Sequence, residues 1–137
     1  MYTSSLALSP PLPTSRNSLG AFGESYARAH LTGLGYRVLE ANVRLKAGEI
    51  DILAEDGQTL VFVEVRTKRD TRFGTPEESI IAKKARKLVT LVYQFLLTRH
   101  DHHQDWRIDV VAIEVARDGK VSRIEVLRNA VGAEGRS

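Results

Sequence analysis

The chain has 137 residues, of which 42% are hydrophobic and 27% charged, the proportions of one soluble globular domain. It contains no cysteine, which excludes disulfide bonds and thiolate metal sites, and its net charge of +3 is only a mild basic bias. No apolar run approaches the roughly 20 residues of a membrane-spanning helix, so we expect no membrane partner and a cytoplasmic location.

The first predicted elements are a tail and a helix. Residues 1–18 are rich in Ser, Thr and Pro and lack the basic start and long apolar core of a signal peptide, which predicts a disordered tail. Apolar residues at helical spacing predict a helix from 19 to about 34, with Gly35 as a left-handed cap. Glu24 lies at the edge of its apolar stripe. Considered alone, Glu24 is most simply a solvated helix charge.

Three strands are predicted next, at 36–42, 49–54 and 60–66, with a tight hairpin at Asp56-Gly57 between the last two. A basic loop leads to a second helix that starts with Thr75 as N-cap, Pro76 at the first position and Glu78 completing a capping box. Two strands follow, at 107–115 and 121–127. The sequence therefore predicts an α/β domain over 19–128, followed by a flexible tail over 129–137.

Two carboxylates fall within strands that are predicted to be buried. On the second strand, strict alternation places Ile50 and Ile52 on one face and Asp51 on the other. On the third strand both faces are apolar apart from Glu64 and Arg66, which is typical of a central strand covered on both sides. An ionised Glu64 there would cost several kcal/mol unless it were paired or bound to a cation.

The predicted hairpin brings these carboxylates together. With Asp56 and Gly57 as a two-residue loop, Asp51 lies opposite Phe62, and Glu64 is its diagonal neighbour on the same face, roughly 7–8 Å away. Two carboxylates at this spacing can converge on one ion, and hard oxygen ligands favour Mg²⁺ or Mn²⁺. A buried ion pair between a carboxylate and an arginine, without metal, is the alternative.

Two other polar segments contain residues that could bind a metal or support the carboxylate site. His100, Asp101, His102 and His103 have the composition of a metal cluster, but their position after a helix C-terminus is more typical of a solvated loop. Arg107 and Asp109 lie at the start of the next strand. They either pair with each other or support the carboxylate site. The sequence leaves both interpretations open.

A family resemblance rests on five motifs. GESYARAHLTGLGYRVLEANVR, GEIDILAEDG, LVFVEVRTK, FGTPEESI and RIDVVAI together resemble the uncharacterised YraN-like family of bacterial proteins, over residues 20–126. That family is similar to archaeal Holliday-junction resolvases and to the restriction-endonuclease-like PD-(D/E)xK nucleases. The resemblance implies a restriction-endonuclease-like αβββαβ core with a mixed β-sheet flanked by helices.

The same resemblance implies roles for particular residues. Glu24 corresponds to the acidic residue of the first helix, Asp51 to the metal-binding aspartate and Glu64 to the glutamate of the E-x-K motif. Arg66 stands where that motif has lysine, and arginine, unlike lysine, does not lose its proton. Arg66 would still hold a phosphate and stabilise developing negative charge. Two lysines are candidates for the missing amine: Lys68, which continues the face of Glu64 and Arg66, and Lys84 on the second helix, near which the family pattern also has lysine.

A basic surface adjoins these residues. It has two interpretations: a nucleic-acid-binding surface that contacts the phosphate backbone, or a solvated helix face with a mobile loop. The residues assigned to it are Arg44, Lys68, Arg69, Arg72, Lys83, Arg86 and Lys87.

The implied function is a Mg²⁺-dependent endonuclease acting on DNA, including branched or repair intermediates, with a homodimer implied by the resolvases. No base-reading motif is present in the sequence, so recognition is expected to be independent of sequence. The alternatives are a nucleic-acid-binding module that has lost turnover and a protein-interaction adaptor.

Overall fold

A computed structural model of the chain describes residues 16–69, 72, 74–80, 82–99 and 105–131. They form one five-stranded sheet with a helix against each face. In chain order the elements are α1 (Arg16–Gly33), β1 (Arg37–Leu45), β2 (Gly48–Asp56), β3 (Thr59–Lys68), a 3₁₀ helix (Glu77–Ser79), α2 (Ala82–Arg99), β4 (Trp106–Val115) and β5 (Val121–Leu127). The predicted α/β class is confirmed, and this order is compatible with a restriction-endonuclease-like core.

The strands lie in the sheet in the same order as along the chain. β1, β2 and β3 form an antiparallel meander, and β4 and β5 form an antiparallel pair. β3 and β4 are parallel, because the chain returns through α2 between them. β3 is therefore the central strand, paired on both sides.

Each face of the sheet has its own hydrophobic core. The core under α1, which we call the α1 core, contains Ala27 and Leu31 packed against Val61 and Val63 of β3. The core under α2, the α2 core, contains side chains of α2, β2, β3 and β4, among them Leu88, Val92, Phe95, Leu53, Phe62 and Ile108. Because β3 contributes to both cores, its predicted burial on both faces is confirmed.

The C-terminus of α1 is fixed by a Schellman motif. Gly35 adopts a φ of +99°, and its N–H donates to the Thr32 carbonyl at 3.1 Å. The N–H of Tyr36 donates to the Leu31 carbonyl at 3.0 Å, and both of these side chains are buried in the α1 core. The cap predicted at Gly35 is confirmed, and it turns the chain directly into β1.

The second helix starts later than predicted. Instead of one helix capped by Thr75, a 3₁₀ helix occupies Glu77–Ser79, and α2 begins at Ala82. Half of the predicted capping box is present, since the Glu78 carboxylate accepts a hydrogen bond of 2.6 Å from the Thr75 N–H. The backbone of Ile80, at φ −86° and ψ 89°, is not helical and separates the two elements.

The β2–β3 register differs from the predicted one by two residues. Leu53, not Asp51, pairs with Phe62, so the predicted pairing of Asp51 with Phe62 is wrong, and the regular pairs end at Ile52 with Val63. The two-residue loop begins at the glycine, with a φ of +63°, rather than at the aspartate before it. The two carboxylates nevertheless come to one place, because Asp51 Oδ2 accepts a hydrogen bond of 2.8 Å from the Val65 N–H, next to Glu64, and both residues line one cleft.

β2 does not keep strict alternation along its length. Ile52 and Ala54 lie in the α1 core, whereas Ile50 and Leu53 both lie in the α2 core. The prediction that Ile50 shares a face with Ile52 is therefore wrong. The break in alternation falls at Asp51, where the strand changes the face that it presents.

The domain extends past both predicted boundaries of 19–128. α1 begins at Arg16, and after β5 the Ala130 N–H donates to the Ile108 carbonyl at 2.8 Å. Val131 is only 3% exposed and packs in the α2 core. The outer parts of the two predicted tails, residues 1–15 and 132–137, lie outside the described residues.

A buried polar network lies on the α1 face of the sheet, beside the β2–β3 loop. Asp109 is fully buried and accepts hydrogen bonds from the Tyr36 hydroxyl at 2.8 Å, from Arg107 Nε at 2.9 Å and from the Asn129 N–H at 2.9 Å. Arg107 also donates to Asp56 at 2.8 Å. Arg107 and Asp109 therefore pair with each other, and their network joins β4 to β2, to the end of α1 and to the segment after β5.

Candidate functional site

A cleft of ≈ 770 Å³ lies between the first half of α1, the β1–β2 turn, the end of β3 and the first turns of α2. All five residues that the sequence analysis assigned to catalysis line it, and so do three of the predicted nucleic-acid-binding residues. These are Glu24, Asp51, Glu64, Arg66 and Lys84, with Lys68, Arg69 and Lys87. The fold therefore brings residues from four elements to one place.

Glu64 lies at the inner wall of the cleft on the central strand. It is only 5% exposed, and its Oε2 atom lies 3.3 Å from Arg66 Nε and 3.6 Å from Lys84 Nζ. Burial, followed by the nearby Asp51 charge, raises the pKa of Glu64 to about 7 in spite of these two cations. Glu64 is thus a buried carboxyl whose charge its protein neighbours only partly compensate.

Asp51 is held in place by the backbone of the neighbouring strand. Its Oδ2 accepts a hydrogen bond of 2.8 Å from the Val65 N–H. Burial raises the pKa of Asp51, although this bond and a hydrogen bond shared with Glu64 lower it. Because Glu24 also shares a hydrogen bond with Asp51, the aspartate lies between two carboxyls that hold protons near neutral pH.

A third and a fourth carboxylate complete the acidic wall of the cleft. Oxygen atoms of Glu24, Glu49 and Asp51 all lie within 4.8 Å of one another. Burial, followed by the charges of Asp51 and Glu49, raises the pKa of Glu24 to about 7. The sequence analysis did not assign Glu49 to the site, although it lies two residues before Asp51 in a strand, a spacing that favours the same face.

Glu24 reaches the cleft because α1 lies unusually close to β3. A Cβ atom at Gly23 would lie 2.0 Å from Thr67 Oγ1, so only glycine fits at this point of the helix. Thr67 lies near the end of β3, next to Arg66. The contact between Gly23 and Thr67 therefore sets the distance between the Glu24 carboxyl and the carboxylates of the sheet.

Two cations face the acidic wall. Arg66 is held close to Glu64, but its buried Nε atom donates no hydrogen bond, because the 3.3 Å contact lacks the necessary alignment. Lys84 approaches from α2 and keeps about a third of its side chain exposed to the cleft. Both side chains can therefore turn toward an anion that enters the cleft without breaking a hydrogen bond to Glu64.

The carboxylate set fits a hard divalent cation. Oxygen ligands around one Mg²⁺ lie at about 2.0–2.1 Å from the ion, and those around Ca²⁺ at about 2.3–2.6 Å, so two ligands on opposite sides are about 4–5 Å apart. The oxygens of Glu24, Glu49 and Asp51 fall within this span. Among the described residues, the salt bridge to this trio comes from the exposed Arg44, and a divalent ion would offset the burial that raises the pKa values of Glu24 and Asp51.

The remaining predicted nucleic-acid-binding residues lie outside the wall of the cleft. Arg44 on β1 is 89% exposed, with its Nε 3.8 Å from Glu49 Oε2. Lys83 and Arg72 are exposed near the start of α2. Residues 100–103, which have the composition of a metal cluster, lie outside the described residues.

No helix among residues 16–69, 82–99 and the other described parts is both long and apolar enough to cross a bilayer.

Comparison with known proteins identifies relatives over most of the chain. A UPF0102 protein of Dehalococcoides mccartyi is 39% identical over 119 residues, covering 87% of this chain and 97% of its own length. A UPF0102 protein of Symbiobacterium thermophilum is 43% identical over 115 residues, covering 84% of this chain and 97% of its own length.

Among solved structures, Pyrococcus furiosus SfsA in complex with Ca²⁺ aligns with a TM-score of 0.33 and 14% identity, over 80% of this chain and 62% of the SfsA chain. This chain thus spans less than two thirds of SfsA, and the likeness is too distant to inform function.

The family model described as "Uncharacterised protein family UPF0102" matches residues 23–113, which include the second half of α1, the β2–β3 hairpin, α2 and most of β4. The matched range contains all five candidate catalytic residues. The predicted family resemblance is confirmed, and the chain belongs to the uncharacterised protein family UPF0102.

Proposed function

We propose that this protein is a divalent-metal-dependent endonuclease that hydrolyses phosphodiester bonds in DNA. The observation that carries the proposal is Glu64, a carboxyl that is 5% exposed on a central strand and lines a cleft together with Asp51. A structural ion pair would be expected to neutralise such a group, yet its pKa is raised to about 7. Perturbed carboxyls that converge in a cleft are typical of functional sites.

In this proposal the acidic residues hold the cation. Asp51, Glu24 and Glu49 supply oxygen ligands, and Glu64 joins them when it loses its proton. Bound Mg²⁺ or Mn²⁺ would polarise the phosphodiester and lower the pKa of a coordinated water. The hydrogen bond from the Val65 N–H keeps Asp51 oriented toward the cleft in the absence of the ion.

Arg66 and Lys84 have different roles in this proposal. The Arg66 guanidinium remains charged, so it binds the scissile phosphate and stabilises the negative charge that develops on it. Lys84 Nζ, 3.6 Å from Glu64, is the amine closest to the acidic wall in the described residues and can exchange a proton with the leaving or attacking oxygen. Lys84 thus replaces the lysine that is missing from the E-x-K motif.

The basic residues around the cleft support a nucleic-acid substrate. Lys68, Arg69 and Lys87 line the cleft, and Lys83 and Arg86 are exposed on α2. These side chains suit the phosphate backbone and carry no information about base sequence. We therefore propose recognition by DNA structure, which includes branched and repair intermediates.

The experiment is an assay of purified protein on labelled duplex, single-stranded and four-way-junction DNA, with and without Mg²⁺ or Mn²⁺. We expect metal-dependent cleavage that Asp51→Asn and Glu64→Gln reduce by at least about 10²-fold, since each removes a charge from the ion site. Asp118→Asn, at an exposed turn between β4 and β5, is the matched control and should cleave normally. If the wild-type protein cuts none of these substrates, the proposed enzyme activity is wrong.

The second candidate function is nucleic-acid binding without turnover, and Arg66 in place of lysine is the observation that favours it. Arg66→Lys separates the two functions. If Lys84 supplies the amine, Arg66→Lys lowers cleavage or leaves it unchanged, while Lys84→Met abolishes it. A wild-type protein that binds DNA but cuts only after Arg66→Lys would instead be a binding module that lost its catalytic lysine.

We also propose a cytoplasmic homodimer, from the resemblance to resolvases. Size-exclusion chromatography with light scattering measures the mass, and a value of about 15 kDa, that of one chain, would contradict the dimer.

A further inference from the structure

The segment between β3 and α2 carries a residue of the cleft wall. Residues 74–80 of it, which we call the bridging segment, contain the 3₁₀ helix Glu77–Ser79 and end shortly before α2 begins at Ala82. Ser79 lines the cleft, and Lys84 follows in the first turns of the helix. Any displacement of the bridging segment therefore changes the position of Lys84 relative to Glu64.

Arg123 on β5 holds the bridging segment against the sheet. We call its contacts with Glu77 and Glu114 the Arg123 clamp. Its Nη1 donates to Glu77 Oε1 at 3.0 Å and its Nη2 donates to Glu77 Oε2 at 2.7 Å, a two-pronged contact that lysine cannot reproduce. Arg123 also donates to Glu114 Oε2 at 2.7 Å and contacts Glu125. The side chains of Arg123, Glu77 and Glu114 are all between 20% and 29% exposed, so water screens these ion pairs less than it screens surface pairs.

The same clamp connects to the end of β3. Across the sheet, Lys68 is paired with Glu114, and Glu114 is paired with Arg123. Directly paired residues on neighbouring strands present their side chains on one face, so these three form a row of alternating charge. Lys68 and Ser79 both line the cleft. The row therefore connects the β3 side of the cleft to Arg123, which contacts the bridging segment that carries Ser79.

Stability alone does not require this arrangement. An arginine on an edge strand needs one carboxylate partner to balance its charge, whereas Arg123 has three, and one of them belongs to the bridging segment. The contacts therefore do more than neutralise a surface cation. They hold the 3₁₀ helix against β5, two residues before α2 begins.

We propose that Arg123 is a positioning residue for the cleft: by clamping Glu77 and Glu114 it sets the placement of Lys84 and Lys68 around Glu64. The proposed effect on DNA rests on the nuclease function proposed above, whereas the effect on the placement of Lys84 does not.

Arg123→Lys is the first test variant, since it keeps the charge and removes the two-pronged contact. Glu77→Gln is the second and weakens the same contact from the other side. Arg99→Lys is the matched control, because Arg99 makes a similar two-pronged contact with Glu40, at 2.8 and 3.2 Å, on the α2–β1 side of the fold. All three are compared with the wild-type full chain.

The first readout is the reactivity of the Lys84 amine toward acetic anhydride, measured by mass spectrometry relative to exposed Lys120. We expect both clamp variants to raise this ratio about threefold, because Lys84 moves away from Glu64, and Arg99→Lys to leave it unchanged. The second readout is the affinity for labelled DNA, which the clamp variants should weaken about three- to tenfold while Mn²⁺ affinity stays within about twofold.

The outcomes separate the two proposals. If both clamp variants match Arg99→Lys in Lys84 reactivity, Arg123 is a surface ion-pair partner and the positioning role is wrong. If the wild-type protein neither binds nor cuts DNA, the nuclease function fails, but the acylation ratio still decides the role of Arg123.

Discussion

At the scale of single residues, Glu64 is where burial and charge oppose each other. Its pKa is about 7 in the folded protein against an ordinary 4.5, so between these values the folded state holds a proton that the unfolded state has released. A carboxyl with a raised pKa contributes most to stability at low pH, and this contribution is lost as the pH rises through the folded pKa. Without metal, Glu64 therefore destabilises the fold above about pH 7.

Glu64→Gln should stabilise the metal-free protein at pH 8 and not at pH 5. Glutamine keeps the shape and removes the ionisation, and we expect a gain of about 2 kcal/mol at pH 8 in the free energy of unfolding. Urea denaturation at the two pH values measures it. Asp118→Asn, which removes an exposed carboxylate, is the control, and an equal effect of Glu64→Gln at both pH values would contradict the assignment.

The raised pKa values also predict how metal binding depends on pH. A cation must displace the protons that Glu24 and Glu64 hold below about pH 7, so binding releases protons and weakens as the pH falls. We expect 5 mM Mn²⁺ to raise the Tm by several degrees at pH 8 and by much less at pH 5.5, about a 10-fold change in affinity or more. Calorimetry in two buffers of different ionisation enthalpy counts the protons. Equal stabilisation at both pH values would show that these carboxyls do not bind the ion.

Individual residues of the site were predictable where a charged side chain falls at a position that the strand pattern predicts to be buried. Glu64 stood out as a charge on a central strand, and Asp51 as its neighbour on the hairpin. Glu49 was missed because a partly exposed glutamate breaks no rule; only its distance from Glu24 identifies it. The approach of Lys84 to Glu64 depends on how α2 crosses the sheet, which periodicity along one helix does not determine.

At the scale of elements, the packing of α1 on β3 controls the site. Gly23→Ala would place a methyl group 2.0 Å from Thr67 Oγ1 and push the helix away from the strand. We expect a loss of about 2–3 kcal/mol in the free energy of unfolding and weaker Mn²⁺ binding, because Glu24 moves with the helix. Thermal unfolding and calorimetry measure the two effects.

Gly20→Ala is the matched control on the same helix. A Cβ atom there meets nothing within 4 Å, so alanine should be neutral or stabilise by up to about 1 kcal/mol. Thr67→Ala combined with Gly23→Ala should recover part of the lost stability, since it removes the clashing hydroxyl. If Gly23→Ala behaves like Gly20→Ala, the close contact does not position α1.

The elements themselves were largely predictable, and the errors have local causes. The order of helices and strands followed from periodicity, but Thr75, Pro76 and Glu78 form a capping pattern that a 3₁₀ turn satisfies as well as an α-helix does. The hairpin register was wrong by two residues because glycine took the first loop position, a choice that Asp-Gly leaves open. The change of face at Asp51 arises from contacts with both helices, which alternation alone does not include.

At the scale of the whole molecule, the Tyr36–Arg107–Asp109 network joins parts of the fold that the cleft does not connect. Asp109→Asn would leave the partly buried Arg107 without its main partner, and we expect a loss of about 3–5 kcal/mol in the free energy of unfolding. Tyr36, Arg107 and Asp109 do not line the cleft, so the Mn²⁺ affinity of the folded protein should stay the same. Urea denaturation measures the free energy of unfolding, and calorimetry measures the Mn²⁺ affinity.

Glu40→Gln provides the comparison, since the Arg99–Glu40 pair is about 40% exposed on both sides and should contribute less than about 1 kcal/mol. A loss for Asp109→Asn as small as that for Glu40→Gln would mean that the network does not hold the elements together.

The β2–β3 hairpin has a consequence for the order of folding. Asp51 and Glu64 lie on two strands joined by a two-residue loop, and such hairpins form within about 1–10 μs, whereas the parallel pairing of β3 with β4 must wait for the long crossover through α2. The two carboxylates therefore meet in water, both ionised at neutral pH, before either helix covers them. Uptake of a proton, or binding of a cation, then accompanies the late docking of α1 and α2. The pH and the cation concentration therefore affect this last step of folding and not its nucleation.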